Sequence, residues 1–355
     1  MHHLDDLDLY RRLDPSAMRE RIDGLPQQCR DAWQAASDLP LPEDYHGVDQ
    51  VIVLGMGGSA IGGDLARALA MEEGRSVQVH RDYGLPYPTS ASTLIIASSY
   101  SGNTEETISA FSQALDTPAR KLAITTGGTL GRLAHESGIP CLRFHYPSEP
   151  RAALGYSLFS LLAILARVGC LSLGPGDIEE TAALLERQAS HLTVSCPAHQ
   201  NQAKQLAARL NGHLVVIYGA GFLSSVARRW KTQLNENSKA WAFDESLPEL
   251  NHNAVVGYQA PPWMAEKAFV VMLKAPSLHG RLLARYQVTS ELLTSGGIAH
   301  EVIDASGASL LGQMMSTIML GDYVSYYLAV LGGIDPSPVE AIDYLKSRLG
   351  KTGPR

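Results

Sequence analysis

The sequence predicts an α/β protein with two doubly wound parallel sheets, each flanked by helices. Three observations carry that expectation. Short apolar runs rich in β-branched residues alternate with helical patterns five times in the first half of the chain, as parallel strands and their crossovers do. A glycine-rich turn at 55–64 joins the first such run to a helix, and a related turn at 219–225 follows a second run, Leu214-Val215-Val216-Ile217-Tyr218. A hydroxyl-rich loop at 98–107 sits at the carboxyl end of the run Thr93-Leu94-Ile95-Ile96-Ala97.

Composition narrows the class. Of 355 residues, 45% are apolar and 18% charged, a globular balance, and a net charge of −7 supplies no basic footprint for nucleic acid. Cys29, Cys141, Cys170 and Cys196 form no C-x-x-C pair and read as reduced thiols of a cytoplasmic protein. The opening Met1-His2-His3-Leu4-Asp5-Asp6 has neither the basic nor the apolar region of a signal peptide. The apolar run 158–166 is too short to span a bilayer and ends at Arg167, so a core helix is expected and no membrane partner.

Residues 1–45 read as a helical preface. Asp14-Pro15-Ser16 starts a helix striped by Met18 and Ile22, and a second helix runs from Pro26 to about Ser37. Val51-Ile52-Val53-Leu54 is a strand, followed by Gly55-Met56-Gly57-Gly58-Ser59-Ala60-Ile61-Gly62-Gly63-Asp64 and a helix over 65–71. This turn satisfies G-x-G-x-x-A, with Asp82 about where a ribose-binding acid falls, so a dinucleotide site is one reading. Glycines at such a turn serve any ligand approaching backbone, and Ser59 adds a hydroxyl a dinucleotide does not need. Strands follow at 77–79, 94–97, 121–126 and 139–143.

Pro150-Arg151-Ala152-Ala153 opens an apolar helix to about Val168. Arg151 there stands against the helix field, which suggests an anionic partner. A helical connector spans 178–210, then the restated motif 214–227 starts a second copy of the α/β unit. Further strands are expected at 268–273 and near 298–302, and helices at 314–331 and 339–349. The expected division is 1–170, a connector at 171–211, and 212–355.

The loop at 98–107 carries the clearest chemistry. Ser99, Ser101, Thr104 and Thr107 place hydroxyls beside the unpaired N–H groups of a helix start, and Gly102 lets backbone approach closely. That is a site for a phosphate dianion built without lysine or arginine, although an ordinary hydroxyl-rich helix cap has the same composition. Asn235-Glu236-Asn237-Ser238-Lys239 and the polar segment 244–253 read as solvated loops by composition. Within them, Glu236 lies between two amides, and His252 between Asn251 and Asn253, which fix its tautomer in this reading. The histidines show no H-x-H or H-E-x-x-H spacing, so no metal is expected.

Gly-Met-Gly-Gly-Ser-Ala-Ile-Gly-Gly-Asp at 55–64, Ser-Tyr-Ser-Gly-Asn-Thr-Glu-Glu-Thr at 99–107, Glu-Pro-Arg at 149–151, Asn-Glu-Asn-Ser-Lys at 235–239 and Glu-Leu-Asn-His-Asn at 249–253 occur in that order. Together they resemble the bifunctional phosphoglucose/phosphomannose isomerases, built from two sugar-isomerase (SIS) domains. With Leu4-Asp5-Asp6 and Asp14-Pro15-Ser16 the resemblance covers nearly the whole chain. It implies an aldose–ketose isomerase that interconverts glucose 6-phosphate, and mannose 6-phosphate, with fructose 6-phosphate through a cis-enediolate, with no cofactor.

By the same resemblance Gly58, Ser59, Ser99, Ser101 and Thr104 bind the phosphate. Glu236 is the catalytic base, Arg151 faces the enediolate oxygens, and His252 and Lys346 open the ring and position the substrate. A homodimer is implied, with the site between subunits and His252 arriving from the neighbour. A hydroxyl near Asp335-Pro336-Ser337 broadens the choice to both epimers. Three rivals remain: a non-catalytic SIS sensor, an isomerase of another phosphosugar, and an NAD-dependent dehydrogenase. A sensor has no need of Glu236, His252 and Arg151 together, and a dehydrogenase would bind NADH.

Overall fold

The structure, a computed structural model, describes residues 2–87 and 89–350. Met1 and residues 351–355, the outermost positions of the expected first and last segments, lie outside the described residues. Helices α1 (Leu7–Leu13), α2 (Met18–Asp23) and α3 (Leu25–Ser37) open the chain. The preface thus holds one helix more than the stripe at Met18 and Ile22 predicts, started by an Asp6 carboxylate that accepts the Asp8 amide.

The first sheet follows from β1 (Gln50–Leu54), α4 (Gly57–Glu72), β2 (Val77–His80), β3 (Thr93–Ser99), α5 (Glu105–Leu115), β4 (Arg120–Thr125), α6 (Gly128–Glu136) and β5 (Cys141–Arg143). Its order is β2-β1-β3-β4-β5, with every pairing parallel. All of β3 is buried, which is why its middle, Leu94 to Ala97, is continuously apolar instead of alternating. The order reverses between β1 and β3, so the crevice beyond their carboxyl ends is the fold's ligand position. The glycine turn and the hydroxyl loop both lie there.

The glycine segment is not a loop before a helix at residue 65; α4 begins at Gly57. Helix propensity argues against glycine in those turns, but close packing overrides it. A Cβ at Gly58 would stand 2.9 Å from the Pro150 carbonyl oxygen, and one at Gly63 would stand 3.1 Å from Val53 and Val79.

After α7 (Leu154–Arg167), α8 (Pro175–Leu192) and α9 (Gln202–Leu210) the pattern repeats. The elements are β6 (Leu214–Ala220), α10 (Leu223–Ser238), β7 (Ala242–Leu247), α11 (Met264–Lys267), β8 (Ala268–Lys274), α12 (Gly280–Ser295) and β9 (Ala299–Asp304). The parallel order β7-β6-β8-β9 places β6, β7 and β8 where β1, β2 and β3 stand in the first sheet. Two polar stretches that composition reads as loops are regular here. Residues 235–238 are the last turn of α10, held by Asn237 and Ser238 hydrogen bonds to Ser325. Residues 244–247 belong to β7, polar because it is an edge strand.

Helix α13 (Leu310–Leu331) is the axis between the halves, packed against α8, α9 and α10 and buried from 311 to 330. It is long and apolar enough to cross a membrane by composition, yet 94% of its apolar window is buried inside the protein. A helix apolar on all sides is the mark of such a core position. The last helix, α14 (Glu340–Leu349), has no buried residue, and Ile342, Tyr344, Leu345 and Leu349 are exposed along it.

Candidate active site

The hydroxyl loop folds on itself before α5. Ser99 Oγ lies 2.9 Å from Thr104 Oγ1 and accepts the Gly102 amide at 3.1 Å, while Ser101 Oγ accepts the Asn103 amide at 3.2 Å. Gly102 has φ +66°, and a Cβ there would stand 1.9 Å from the Gly127 oxygen, so only glycine closes this turn. Thr107 Oγ1 is buried with no partner among the described residues. Ser59, one turn into α4, receives the Tyr100 amide on its Oγ at 3.2 Å. This brings the glycine turn and the hydroxyl loop to one place. The starts of α4 and α5 meet there, and their helix fields favour an anion.

Arg151 is the centre of the second cluster. It lies in a single 3₁₀ turn, 150–152, and only 3% of it is exposed. Its Nε donates to Asn237 Oδ1 at 2.7 Å, and Nη2 donates to the Pro336 and Ser337 carbonyls at 2.7 and 2.8 Å. Nη1 faces Glu236 Oε2 at 3.5 Å. These acceptors explain how a cation persists ahead of α7 against the helix field: it is tied to three carbonyl oxygens and one carboxylate. Burial pulls the guanidinium below its ordinary value, and Glu236 and Glu149 oppose that pull.

Behind Arg151, the Arg229 Nη2 donates to the Arg151 carbonyl at 2.8 Å. The same nitrogen meets both Asp322 oxygens at 3.1 and 3.0 Å, and Gln233 Nε2 adds a bond to Oδ1 at 2.9 Å. Glu236, on the last turn of α10 with 28% of its side chain exposed, borders a cavity of about 600 Å³ shared with Asn235, Lys239, Asp335 and Pro338. Lys239, in left-handed conformation at φ 56°, caps α10 and sends Nζ to the Glu236 carbonyl at 2.6 Å and the Pro336 carbonyl at 3.0 Å. Burial lowers its affinity for a proton, and Arg151 lowers it further. Ser337 Oγ, beside the Arg151 anchor, is buried with no partner among the described residues.

The two clusters meet where Gly58 packs on Pro150 and the Arg151 amide. The structure therefore gathers Gly58, Ser59, Ser99, Ser101, Thr104, Arg151 and Glu236 along one edge of the molecule's middle. His252 stands apart, exposed, and its ring makes no hydrogen bond among the described residues. Its flanking amides do not hold it as expected: Asn251 bonds Thr289 and Arg285, and Asn253 bonds Glu249 and the Ala254 amide. Lys346 is exposed on α14, whose first turn borders the Glu236 cavity through Glu340, Ala341 and Ile342. Asp82, the ribose acid of the dinucleotide reading, is exposed and accepts the Tyr83 amide.

Asn237, Lys239, Arg229 and Asp322 were not singled out by sequence. The first two lie inside a motif whose neighbour Glu236 drew the attention. Arg229 and Asp322 are 93 positions apart and carry no local signal of pairing.

Residues 199–349 match the family described as bacterial phospho-glucose isomerase C-terminal SIS domain. A tagatose-6-phosphate ketose/aldose isomerase from Escherichia coli shares the fold at a TM-score of 0.65 and 18% identity, over 91% of this chain and 95% of that one. Fold and match together define a double-SIS protein. Relatives named bifunctional phosphoglucose/phosphomannose isomerase are 39% identical in Caldicellulosiruptor bescii, over 94% of this chain and 99% of the relative, and 36% identical in Thermoplasma acidophilum, over 84% and 89%. The chain belongs to the bifunctional phosphoglucose/phosphomannose isomerase family.

Proposed function

We propose that the protein interconverts glucose 6-phosphate and mannose 6-phosphate with fructose 6-phosphate. The observation that carries this is a carboxylate, Glu236, at the wall of a cavity of about 600 Å³. It faces, at 3.5 Å, an arginine whose other N–H groups are engaged by protein. Arg151 is thereby aimed, not free to wander, and a charge developing on the substrate's O1 and O2 meets a fixed donor.

The phosphate is held by Ser59, Ser99, Ser101, Thr104 and the Gly58 backbone, with the fields of α4 and α5. Its binding energy places the sugar's reacting end. Glu236 takes the C2 proton and returns it at C1, which one carboxylate reaches when the intermediate is cis. His252 moves protons at O5 and O1 during ring opening, and Lys346 positions the substrate. Because His252 is exposed and its ring makes no hydrogen bond among the described residues, it serves a second copy's site, and the assembly is a homodimer. The exposed apolar residues of α14 fit that assembly. Ser337, with its buried and unpartnered hydroxyl, is the residue that widens the choice to both epimers. The four free thiols fit a cytoplasmic location. The units of the chain are 1–170, 171–211 and 212–355; the confinement of the two sheets to 50–143 and 214–304 supports this division.

Fructose 6-phosphate in D2O, followed by NMR without coupling enzymes, tests the proposal. Deuterium at C2 of both aldose phosphates is expected. Label in glucose 6-phosphate alone removes the role given to Ser337. No exchange alongside saturable binding leaves a sensor and ends the isomerase reading.

The phosphate loop makes a separate prediction. Gly102→Ala forces an alanine to positive φ, a cost of roughly 1–3 kcal/mol before its contact with Gly127 is relieved. The KM for fructose 6-phosphate should rise by about tenfold or more, since 1.4 kcal/mol is tenfold in affinity. An unchanged KM would remove the loop from the phosphate site.

A further inference from the structure

A sugar phosphate fixes the spacing between its phosphorus and its reacting carbons. The loop that holds the one must therefore stand in constant register with the groups that act on the other. Tyr100, between Ser99 and Ser101, is the side chain that joins these parts. Its backbone N–H donates to Ser59 Oγ at 3.2 Å, and its backbone carbonyl accepts the Thr126 amide and hydroxyl at 3.0 and 2.7 Å. Its phenol leaves the loop, donates to the Tyr146 carbonyl and accepts the Ser148 amide at 3.0 Å.

Ser148 stands three positions before Arg151, and its Oγ donates to the Glu149 carbonyl at 3.0 Å. The far side of the same turn is pinned by Gln28 Nε2, which donates to the Tyr146 hydroxyl and the Ala152 carbonyl, both at 3.0 Å. There is little slack in between. The space bounded by Ser59, Tyr100, Pro150 and Ala153 is about 10 Å³. The Tyr100 ring meets Phe144 edge-on at 6.0 Å, and Phe144 stacks on Tyr156 at 4.9 Å. A phenylalanine would fill that aromatic cluster equally well. What the oxygen adds is a two-sided tie to the backbone that leads into Arg151.

Resting on the function proposed above, we infer that the Tyr100 hydroxyl is a strut holding the phosphate loop in register with Arg151, so that Tyr100 is a positioning residue for the isomerisation. Its contribution runs through Arg151 and vanishes when Arg151 is gone.

A double-mutant cycle on the full-length protein tests this, with Tyr100→Phe made alone and on Arg151→Lys, and turnover read as deuterium incorporation from D2O. Alone, Tyr100→Phe should lower kcat with fructose 6-phosphate by about 10- to 100-fold. Inhibition by inorganic phosphate should stay within about twofold, because the nest is intact. On Arg151→Lys the same change should cost less than about twofold. An unchanged kcat in the first background overturns the inference. Equal losses in both backgrounds make the phenol a general structural group and overturn it too, as does phosphate inhibition weakening in step with turnover. If the isomerase reading itself is wrong, the unsubstituted protein shows no exchange at all.

Discussion

Replacing Glu236 by glutamine is expected to abolish turnover while leaving sugar-phosphate affinity within about tenfold. The substitution keeps the volume of the side chain and an oxygen for Arg151 Nη1, whose separation of 3.5 Å is already long. It removes the capacity to accept the C2 proton, together with the charge that faces Arg151. General base catalysis contributes about 10²–10⁴-fold, and a carboxylate that carries the proton in both directions sits at the upper part of that range. Affinity is expected to survive because the proposed phosphate ligands lie on other elements, after β1 and β3. The two readouts therefore separate: isotope exchange at C2 disappears, while direct binding of fructose 6-phosphate, read by titration calorimetry, persists. A variant with more than about a tenth of the original rate would assign the proton to another group.

The largest loss of stability is expected from Asp322→Ala. Arg229 and Asp322 are nearly inaccessible, with side-chain exposures of 2% and 7%. Removing the carboxylate strands a buried guanidinium, a defect that costs about 3–5 kcal/mol where one partner of a buried pair is deleted. It also frees Gln233 and loosens the nitrogen that holds the Arg151 carbonyl. Thermal unfolding should therefore begin well below that of the unsubstituted protein, and kcat should fall with it. The double replacement Arg229→Leu with Asp322→Leu separates these effects. Trading the pair for apolar groups of similar size is often neutral for stability. Its transition should return towards the original while kcat stays low, because the Arg151 carbonyl is still unsupported. A single variant as stable as the parent would mean that water reaches Arg229.

What the sequence reveals of this site depends on how far apart the partners lie. The hydroxyl loop is legible because Ser99, Gly102 and Thr104 act on one another within six positions, and the run before it, Leu94 to Ala97, is continuously apolar. The switch-point position follows from the same alternation of runs. Glu236 is a harder case. Its segment is polar enough to pass for a loop, and it is helical only because α13 supplies Ser325 to its last turn. Arg151 draws attention by opposing the helix field, but the atoms that resolve the conflict lie 86 and 185 positions later. No local pattern points to carbonyl oxygens at that remove. β7 misleads in the opposite way, since an edge strand carries charge to stay soluble along its open side. His252 lies in a motif that reads clearly, yet it is exposed and its ring has no hydrogen-bond partner among the described residues.

The tie between Arg151 and the carbonyls of Pro336 and Ser337 has a consequence for how the protein is made. A ribosome delivers the first sheet, the phosphate loop and Arg151 long before it delivers residue 336. Until then the guanidinium lacks two of its acceptors, and the turn that bears it is shaped by Tyr100, Gly58 and the helical preface. A chain released early would lack the carbonyls of Pro336 and Ser337 and would hold no aimed arginine. The last two anchors of Arg151 thus arrive near the end of synthesis.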